Sequence, residues 1–139
     1  MRRWMVPMLG VVVALASGVA AATAGAGASA AAPINVVGTW TGPYQFPSGT
    51  DQVVSSTETL HIDRQMGALV WGRDEYTQNG QLVEIPVRGS LDLNGKGLAL
   101  AESSGFFEGT VLSSGRMQLR FVRTDAQFTA FSVLLHRSK

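Results

Sequence analysis

The feature that most constrains this fold is a period-two alternation of apolar and polar residues that begins at Val36 and continues to the end of the chain. Strand-favouring runs of about five to nine residues are separated by short groups of Gly, Asn, Asp and Ser. Successive side chains of a strand point to opposite faces, so this period indicates strands with one buried face. No window in this part of the chain has a helical period. The sequence therefore predicts an all-β domain.

The pattern divides into about nine short strands joined mostly by tight turns. The predicted strands are 36–41, 54–62, 68–76, 82–88, 90–93, 98–102, 106–112, 117–123 and 128–137. Asn79-Gly80 and Asn94-Gly95 are the clearest hairpin turns, because both residue types accept a positive φ. Pro86 cannot donate to a sheet ladder and therefore marks an edge, a bulge or a strand end.

Strands in this order form a meander, and a long meander curls because strands twist and unpaired edges are unfavourable. We predict closure into a small antiparallel up-and-down β-barrel of about eight or nine strands. The alternative is a two-sheet β-sandwich. The last strand is apolar on both faces, with Phe128, Ala130 and Leu134 on one and Phe131, Val133 and Leu135 on the other. Its outer face is expected to be covered by another segment or a second subunit, so we expect a monomer or a homodimer.

The first thirty residues predict a secretory signal peptide. A basic start at Arg2-Arg3 precedes an apolar stretch over 5–22, and Ala28-Ser29-Ala30 offers small residues for cleavage. We predict cleavage after Ala30, with Ala28 as the alternative. A linker over 31–35 and a single domain over 36–139 follow. The apolar stretch falls short of the about 20 strongly apolar residues of a membrane span, so we expect a secreted protein without a membrane anchor.

Composition narrows the partner classes further. Arg2 and Arg3 belong to the signal peptide, so nine basic residues face 10 acidic ones in the exported chain. This balance gives no electrostatic attraction for nucleic acid or anionic membranes. The chain has no Cys, so neither a lipid-modified Cys nor a disulfide is expected. The arginine pair is compatible with either the general export route or the twin-arginine route.

Gly38-Thr39-Trp40 opens the first strand, and Arg137 lies near the end of the last. This arrangement is similar to the G-x-W signature of lipocalins and avidins, which are calycin-like barrels. The resemblance implies that Gly38, Trp40 and Arg137 close the barrel base. In any closed meander the first strand pairs with the last, which brings Trp40 and Arg137 together. An arginine over an indole face contributes about 0.5–2 kcal/mol.

The segment 42–56 contains two prolines, so we predict a loop. The resemblance implies that this loop arches over the open end as a lid, with Tyr44 and Phe46 facing a ligand. Trp71 is predicted near the mouth, and Arg73 shares its face. Inward-facing residues are predicted at Val83, Ile85, Val87, Met117, Leu119 and Phe121.

A charge in the lumen needs a partner, and Arg73 with Glu58, Glu102 or Glu108 could anchor a polar ligand group. The alternatives are solvent exposure for these charges and core packing for the aromatic residues. The inward face of the third strand stays open at this point.

No catalytic or metal-binding pattern stands out. There is no G-x-S-x-G motif, and His61, Asp63 and His136 do not show the spacing of a zinc site. We expect a non-enzymatic protein without a cofactor that binds a small, mainly apolar ligand. One alternative is an interaction or inhibitor module with a filled barrel and an extracellular protein partner. Another is a small isomerase or cyclase that uses Glu58, Glu102 or Glu108.

Overall fold

The computed structural model describes residues 32–49, 51–125 and 129–138. The predicted signal peptide and Phe128 lie outside the described residues. The strands are β1 (Gly38–Ser48), β2 (Gln52–Met66), β3 (Leu69–Gln78), β4 (Gln81–Leu91), β5 (Gly97–Ala101), β6 (Gly105–Ser113), β7 (Arg116–Arg123) and β8 (Ala130–Arg137). Within the described ranges, no helix is long and apolar enough to cross a membrane.

The strands form one closed antiparallel barrel in the order β1 to β8. Each strand pairs with the next, and β1 returns to β8 with Trp40 opposite Arg137 and Thr41 opposite His136. The predicted up-and-down barrel is confirmed, and the alternative of a two-sheet sandwich is wrong. Closure gives both chain-terminal strands a partner and so removes the unpaired edges of the sheet.

The segment predicted as a lid loop is part of the barrel wall. β1 continues through Pro43 and Pro47, and β2 begins at Gln52, so the two strands form a long hairpin. The prolines are tolerated because only Trp40 and Thr41 of β1 register with β8, and both prolines lie beyond that pairing. The prediction of a loop over 42–56 is therefore wrong.

The barrel has eight strands instead of the predicted nine or so, because β4 takes the place of the two strands predicted over 82–88 and 90–93. β4 continues through Gly89, where an added Cβ would overlap the carbonyl oxygen of Ala99 on β5. The missing side chain lets the strands pair across this position. The pairing of β4 with β5 begins at Arg88, so Pro86 lies outside it. This position suits Pro86 because proline has no N–H to donate to a neighbouring strand.

The inner face of the barrel carries one apolar core. Val87, Met117, Leu119 and Phe121, predicted to face inward, are buried, and Val83 and Ile85 on the same face of β4 are half-buried. Other large side chains that fill the lumen are Leu60, Ile62, Leu100, Phe107 and Leu135.

The last strand is less symmetrical than predicted. Val133 and Leu135 are buried on the inner face of β8, but Leu134 on the outer face stays 41% exposed. No described segment of the chain covers it. Coverage by a second subunit stays a prediction.

The base of the barrel is closed by the residues that precede β1. Val36 is fully buried there, and Trp40 Nε1 donates a hydrogen bond of 2.8 Å to its carbonyl oxygen. The guanidinium carbon of Arg137 lies 5.4 Å from the centre of the Trp40 ring. Gly38 has a φ of 140°, and a Cβ there would lie 2.8 Å from Arg137 Nε. The predicted grouping of Gly38, Trp40 and Arg137 at the base is present.

Candidate ligand site at the open end of the barrel

The end of the barrel opposite Trp40 holds a cavity of about 200 Å³. The β1–β2 and β3–β4 hairpins contribute to its lining, together with Glu102 and Ser104 after β5, Arg123 at the end of β7 and Thr129 before β8. Its apolar and aromatic lining residues are Tyr44, Phe46, Val54, Tyr76, Phe121 and Phe131. Its other lining residues are Glu58, Asp74, Thr77, Gln78, Glu102, Ser104, Arg123 and Thr129.

Stacked aromatic rings form one wall of the cavity. Tyr44 and Phe46 are two residues apart on β1, so the alternation of the strand turns both inward. The Tyr44 ring stacks on Phe131 at 4.0 Å between centroids and on Phe46 at 5.8 Å. Phe121 continues the wall at 5.3 Å from Phe131. These contacts give the cavity a flat, apolar side.

Three carboxyl groups form the floor. Leu60 on β2 lies opposite Asp74 on β3, so Glu58, two residues earlier, is the diagonal neighbour of Asp74 on the inner face. Asp74 lies within hydrogen-bonding reach of both Glu58 and Glu102. Glu58 is 2% exposed and Asp74 is 3% exposed, while Glu102 is half-buried. We call these three residues the lumen acid cluster.

The lumen acid cluster has more acceptors than donors. No N–H or hydroxyl donor of the described residues reaches Glu58 Oε1, Asp74 Oδ1 or Glu102 Oε2. The Ser104 hydroxyl donates to the other oxygen of Glu102. A buried polar atom without a partner costs about 1–3 kcal/mol. The floor therefore favours any group that brings hydrogen-bond donors.

Burial keeps protons on this cluster. It raises the pKa of Asp74 to about 9, and the hydrogen bond to Glu58 and the charge of Glu58 act in the same direction. Burial likewise raises the pKa of Glu102 to about 7, against the opposing hydrogen bond from Ser104. Burial also raises the pKa of Glu58, although the hydrogen bond from Asp74 lowers it. At neutral pH the Glu58–Asp74 pair therefore retains a proton, which one carboxyl donates to the other.

Arg123 is the only basic residue among the described residues that line the cavity. Its Nε lies 2.8 Å from each carboxyl oxygen of Asp125, so its charge is paired at the rim. The positive charge of Arg123 lowers the pKa of Glu102, but the effect of burial is larger.

The structure brings four of the six predicted ligand-binding residues together. Tyr44, Phe46, Glu58 and Phe121 all line the cavity. Tyr44 and Phe46 do so as part of a strand, and not as part of the predicted lid. Their convergence follows from the alternation of β1, β2 and β7 in a closed barrel.

Trp71 and Arg73, predicted as ligand-binding residues near the mouth, lie on the outer face and do not line the cavity. β3 turns Val70, Gly72 and Asp74 inward, so Trp71 and Arg73, which alternate with them, point outward. Arg64 lies over the Trp71 ring, with its guanidinium carbon 4.1 Å from the centroid. The Arg64 side chain thereby shields part of the indole from water.

For Arg73 the sequence left two alternatives, an inward pair with Glu58, Glu102 or Glu108 and solvent exposure, and the structure shows the second. Arg73 pairs on the outer surface with Asp63 at 2.8 Å and with Glu84 at 3.1 Å. Glu108 is exposed on β6. Glu58 and Glu102 reach the lumen without a cationic partner from β3.

Sequence reasoning missed Asp74 and Phe131 as site residues. Asp74 is adjacent to Arg73 and shares a face with Tyr76, so choosing the other face of the third strand would have found it. The alternation of the last strand predicts that Phe131 lies on an apolar face with Val133 and Leu135. Nothing in the sequence shows that its ring stacks on Tyr44.

Among the described residues, no group of three or more His, Cys, Asp or Glu side chains is arranged to hold a metal ion. His61 lies outside the lumen, where its Nδ1 is 3.0 Å from the Thr39 hydroxyl and its Nε2 is 3.1 Å from Glu75.

Comparison with protein-family models gives no match for this chain, and comparison with curated proteins gives no significant match.

Proposed function

We propose that this protein binds a small amphiphilic molecule in the cavity at the open end of its barrel. The observation that carries the proposal is the pairing of an aromatic wall with a floor of buried carboxyl oxygens that lack donors. An apolar body fits against the wall, and a polar end of the same molecule satisfies the floor. Binding requires no catalytic step.

The size of the cavity limits the ligand. Drug-sized pockets span roughly 300–1,000 Å³, and this cavity has about 200 Å³. Below it the lumen is filled by Leu60, Phe107 and Leu119, which are buried. The ligand is therefore the size of a small metabolite, with room for one ring and a short polar tail, and a long fatty acyl chain does not fit.

The proposal modifies the sequence-based hypothesis of a mainly apolar ligand, because three carboxyl side chains form the floor of the cavity. Secretion, the twin-arginine alternative and membership of the calycin-like families stay predictions. The barrel closure and the Trp40–Arg137 contact support the resemblance to lipocalins and avidins.

The test uses the exported chain and phenethyl alcohol, a neutral probe with one ring and one hydroxyl group. Titration followed by amide chemical shifts is expected to perturb residues around Tyr44, Phe121 and Phe131. Val54→Trp fills the cavity, because Val54 lines it, and is expected to abolish binding. Val53→Trp is the matched control, because Val53 is 69% exposed and lies on the opposite face of β2.

The proposal fails if the probe shifts residues on the outer surface, or if Val54→Trp binds it as well as the Val53→Trp control. Native mass spectrometry of protein from its own medium gives an independent readout. A mass above that of the chain, lost on denaturation, would supply the formula of a natural ligand.

A second candidate is an isomerase or cyclase, favoured by the proton shared between Asp74 and Glu58 beside an apolar wall. In that case Asp74 would donate a proton to the ligand and Glu58 would accept one. Incubation of an identified natural ligand with wild type and with Asp74→Asn, followed by NMR, distinguishes the candidates. If NMR shows that the wild-type protein leaves the ligand chemically unchanged, the hypothesis of an isomerase or cyclase is contradicted.

A further inference from the structure

We propose that the polar end of the ligand is an organic ammonium group that Glu58, Asp74 and Glu102 bind together, and that its arrival releases a proton from the lumen acid cluster. This inference rests on the proposed function, because it names the ligand class of the same cavity. It is carried by the geometry of the three carboxyl groups and by their lack of donors.

The first argument is the number of hydrogen bonds. Glu58 and Asp74 are each at least nine-tenths buried, both line the cavity, and each has an oxygen that no N–H or hydroxyl of the described residues reaches. Glu102 has a third such oxygen. A primary ammonium group carries three donors and no acceptor, whereas a hydroxyl group carries one donor. Of these two groups, only the ammonium group can donate to all three carboxyls at once.

The second argument is charge. The Arg123 guanidinium is held by Asp125 at 2.8 Å, and the cations Arg64 and Arg73 lie on the outer face of the barrel. Within the described residues that line the cavity, no other cation is available to balance the cluster. A ligand carboxylate would add a like charge to a desolvated acidic floor, which is strongly unfavourable.

The third argument is the wall above the floor. Tyr44 and Phe131 stack on each other and line the same cavity as the three carboxyls. The face of an aromatic ring carries negative electrostatic potential and attracts a cation that lies over it. A ring face that the stacking leaves open to the cavity therefore favours the same charge as the floor.

The fourth argument concerns the proton. Glu58 and Asp74 are both buried on adjacent strands, so the two carboxyls cannot both be ionised without a large cost, and the proton that they share is the donor that the pair itself supplies. An ammonium group brings both a positive charge and donors, so it replaces this proton, which passes to the solvent. Affinity for an amine is therefore expected to rise with pH until the amine itself loses its charge near pH 10.

The titratable and charged groups that face this site come from five places in the barrel wall. They are Tyr44 on β1, Glu58 on β2, Asp74 and Tyr76 on β3, Glu102 after β5 and Arg123 on β7. Both tyrosines have a pKa raised by burial, so they stay neutral over the pH range considered. The proton released on binding therefore comes from the carboxyl groups.

The experiment compares three probes with the same ring and different ends: phenethylamine, phenethyl alcohol and hydrocinnamate. Isothermal titration calorimetry of the wild-type chain is expected to rank the amine at least about tenfold above the alcohol and to find no binding of the carboxylate. Repeating the amine titration at one pH in phosphate and in Tris is expected to give different heats, because the released proton is taken up by the buffer.

Variants separate the charge of the cluster from the cavity itself. Glu58→Gln is expected to weaken phenethylamine about tenfold or more, and to weaken phenethyl alcohol by a smaller factor, because only the amine loses the attraction of an opposite charge. Glu108→Gln is the matched control, since Glu108 is exposed on the outer face, and it is expected to change neither affinity.

The outcomes distinguish the inference from the proposed function. If the alcohol or the carboxylate binds as well as the amine, the ammonium class is wrong and the cavity remains a binding site. If the amine binds with no dependence on the buffer, the proton release is wrong. If none of the three probes binds to the wild-type chain, both the inference and the proposed function fail.

Discussion

The carboxyl groups of Glu58 and Asp74 lie within hydrogen-bonding reach on adjacent strands, although both side chains are almost completely buried. Two buried carboxyls cannot both be ionised at this distance without a large electrostatic cost. Folding therefore captures a proton that the unfolded chain would release, and this links stability to pH.

The first prediction is that the free energy of unfolding falls as the pH rises from about 4 to about 9. Asp74 has a folded-state pKa of about 9 against 3.8 for the unfolded residue, so only the folded state keeps the proton in this window. Each extra proton in the folded state gives a slope of about −1.4 kcal/mol per pH unit. Glu102, with a pKa of about 7, steepens the lower part.

Urea unfolding at several pH values measures this slope. Asp74→Asn removes the titrating group and is expected to flatten the curve between about pH 7 and 9. Glu84→Gln on the outer face is the control, and its curve is expected to follow that of the wild type. A wild-type stability that stays constant or rises over this range would contradict the assignment of a buried proton.

The second prediction concerns the base. Arg137 lies over the Trp40 ring and also donates to the carbonyl oxygens of Val37 and Ser114. Arg137→Ala is expected to lower the free energy of unfolding by about 1–3 kcal/mol, because it removes a cation–π contact and hydrogen bonds. Arg116→Ala, at an exposed position on β7, is expected to stay within about 0.5 kcal/mol of wild type. Equal effects of the two variants would show that Arg137 does not stabilise the base.

The third prediction tests the seam where the barrel closes. An added Cβ at Gly42 would overlap the carbonyl oxygen of Leu134 on β8. Gly42→Ala is expected to destabilise the fold by about 1–3 kcal/mol, the usual cost of overpacking, or by more because backbone must move. Gly115→Ala is the control, because no atom lies within 4 Å of a Cβ there. A Gly42→Ala protein as stable as this control would mean that β8 does not approach β1 as described.

The fourth prediction follows from the positions of the tryptophans in the described chain. Trp40 is fully buried at the base, and Trp71 lies on the outer face, so neither lines the cavity. Ligand binding is therefore expected to leave tryptophan fluorescence nearly unchanged. Phe46→Trp places an indole in the cavity wall and is expected to report binding by a change in emission. Strong quenching in the wild-type chain would place the ligand elsewhere.

Much of the architecture was predictable because it depends on local rules. The alternation of apolar residues indicates strands, and Asn79 and Gly80 adopt φ values of 52° and 76°, as a tight hairpin turn requires. The barrel follows from the order of these hairpins. The prediction of a loop over 42–56 was wrong because it relied on Pro43 and Pro47. The missing N–H of a proline is unfavourable only where a neighbouring strand would accept a hydrogen bond from it.

The candidate site was only partly predictable because the face of β3 depends on pairing. Val70, Gly72 and Asp74 alternate with Trp71 and Arg73, so each face contains both apolar and charged residues. A bulge between Ile62 and Arg64 shifts the register with β2, and neither residue signals it locally. The inward position of Asp74 is therefore a property of three paired strands and not of its own sequence.

The closed base also fixes where the molecule can be attached to something else. At the N-terminal end, Pro33 lies against the β4–β5 turn, because a Cβ added to Gly95 would be 2.9 Å from the Cα of Pro33. At the C-terminal end, the Ser138 N–H donates a hydrogen bond of 2.8 Å to the Thr39 carbonyl oxygen. Both ends of the described barrel therefore emerge on the side away from the cavity. A tether, fusion partner or sensor surface joined at either end would therefore hold the barrel by its base and leave the cavity accessible to solvent.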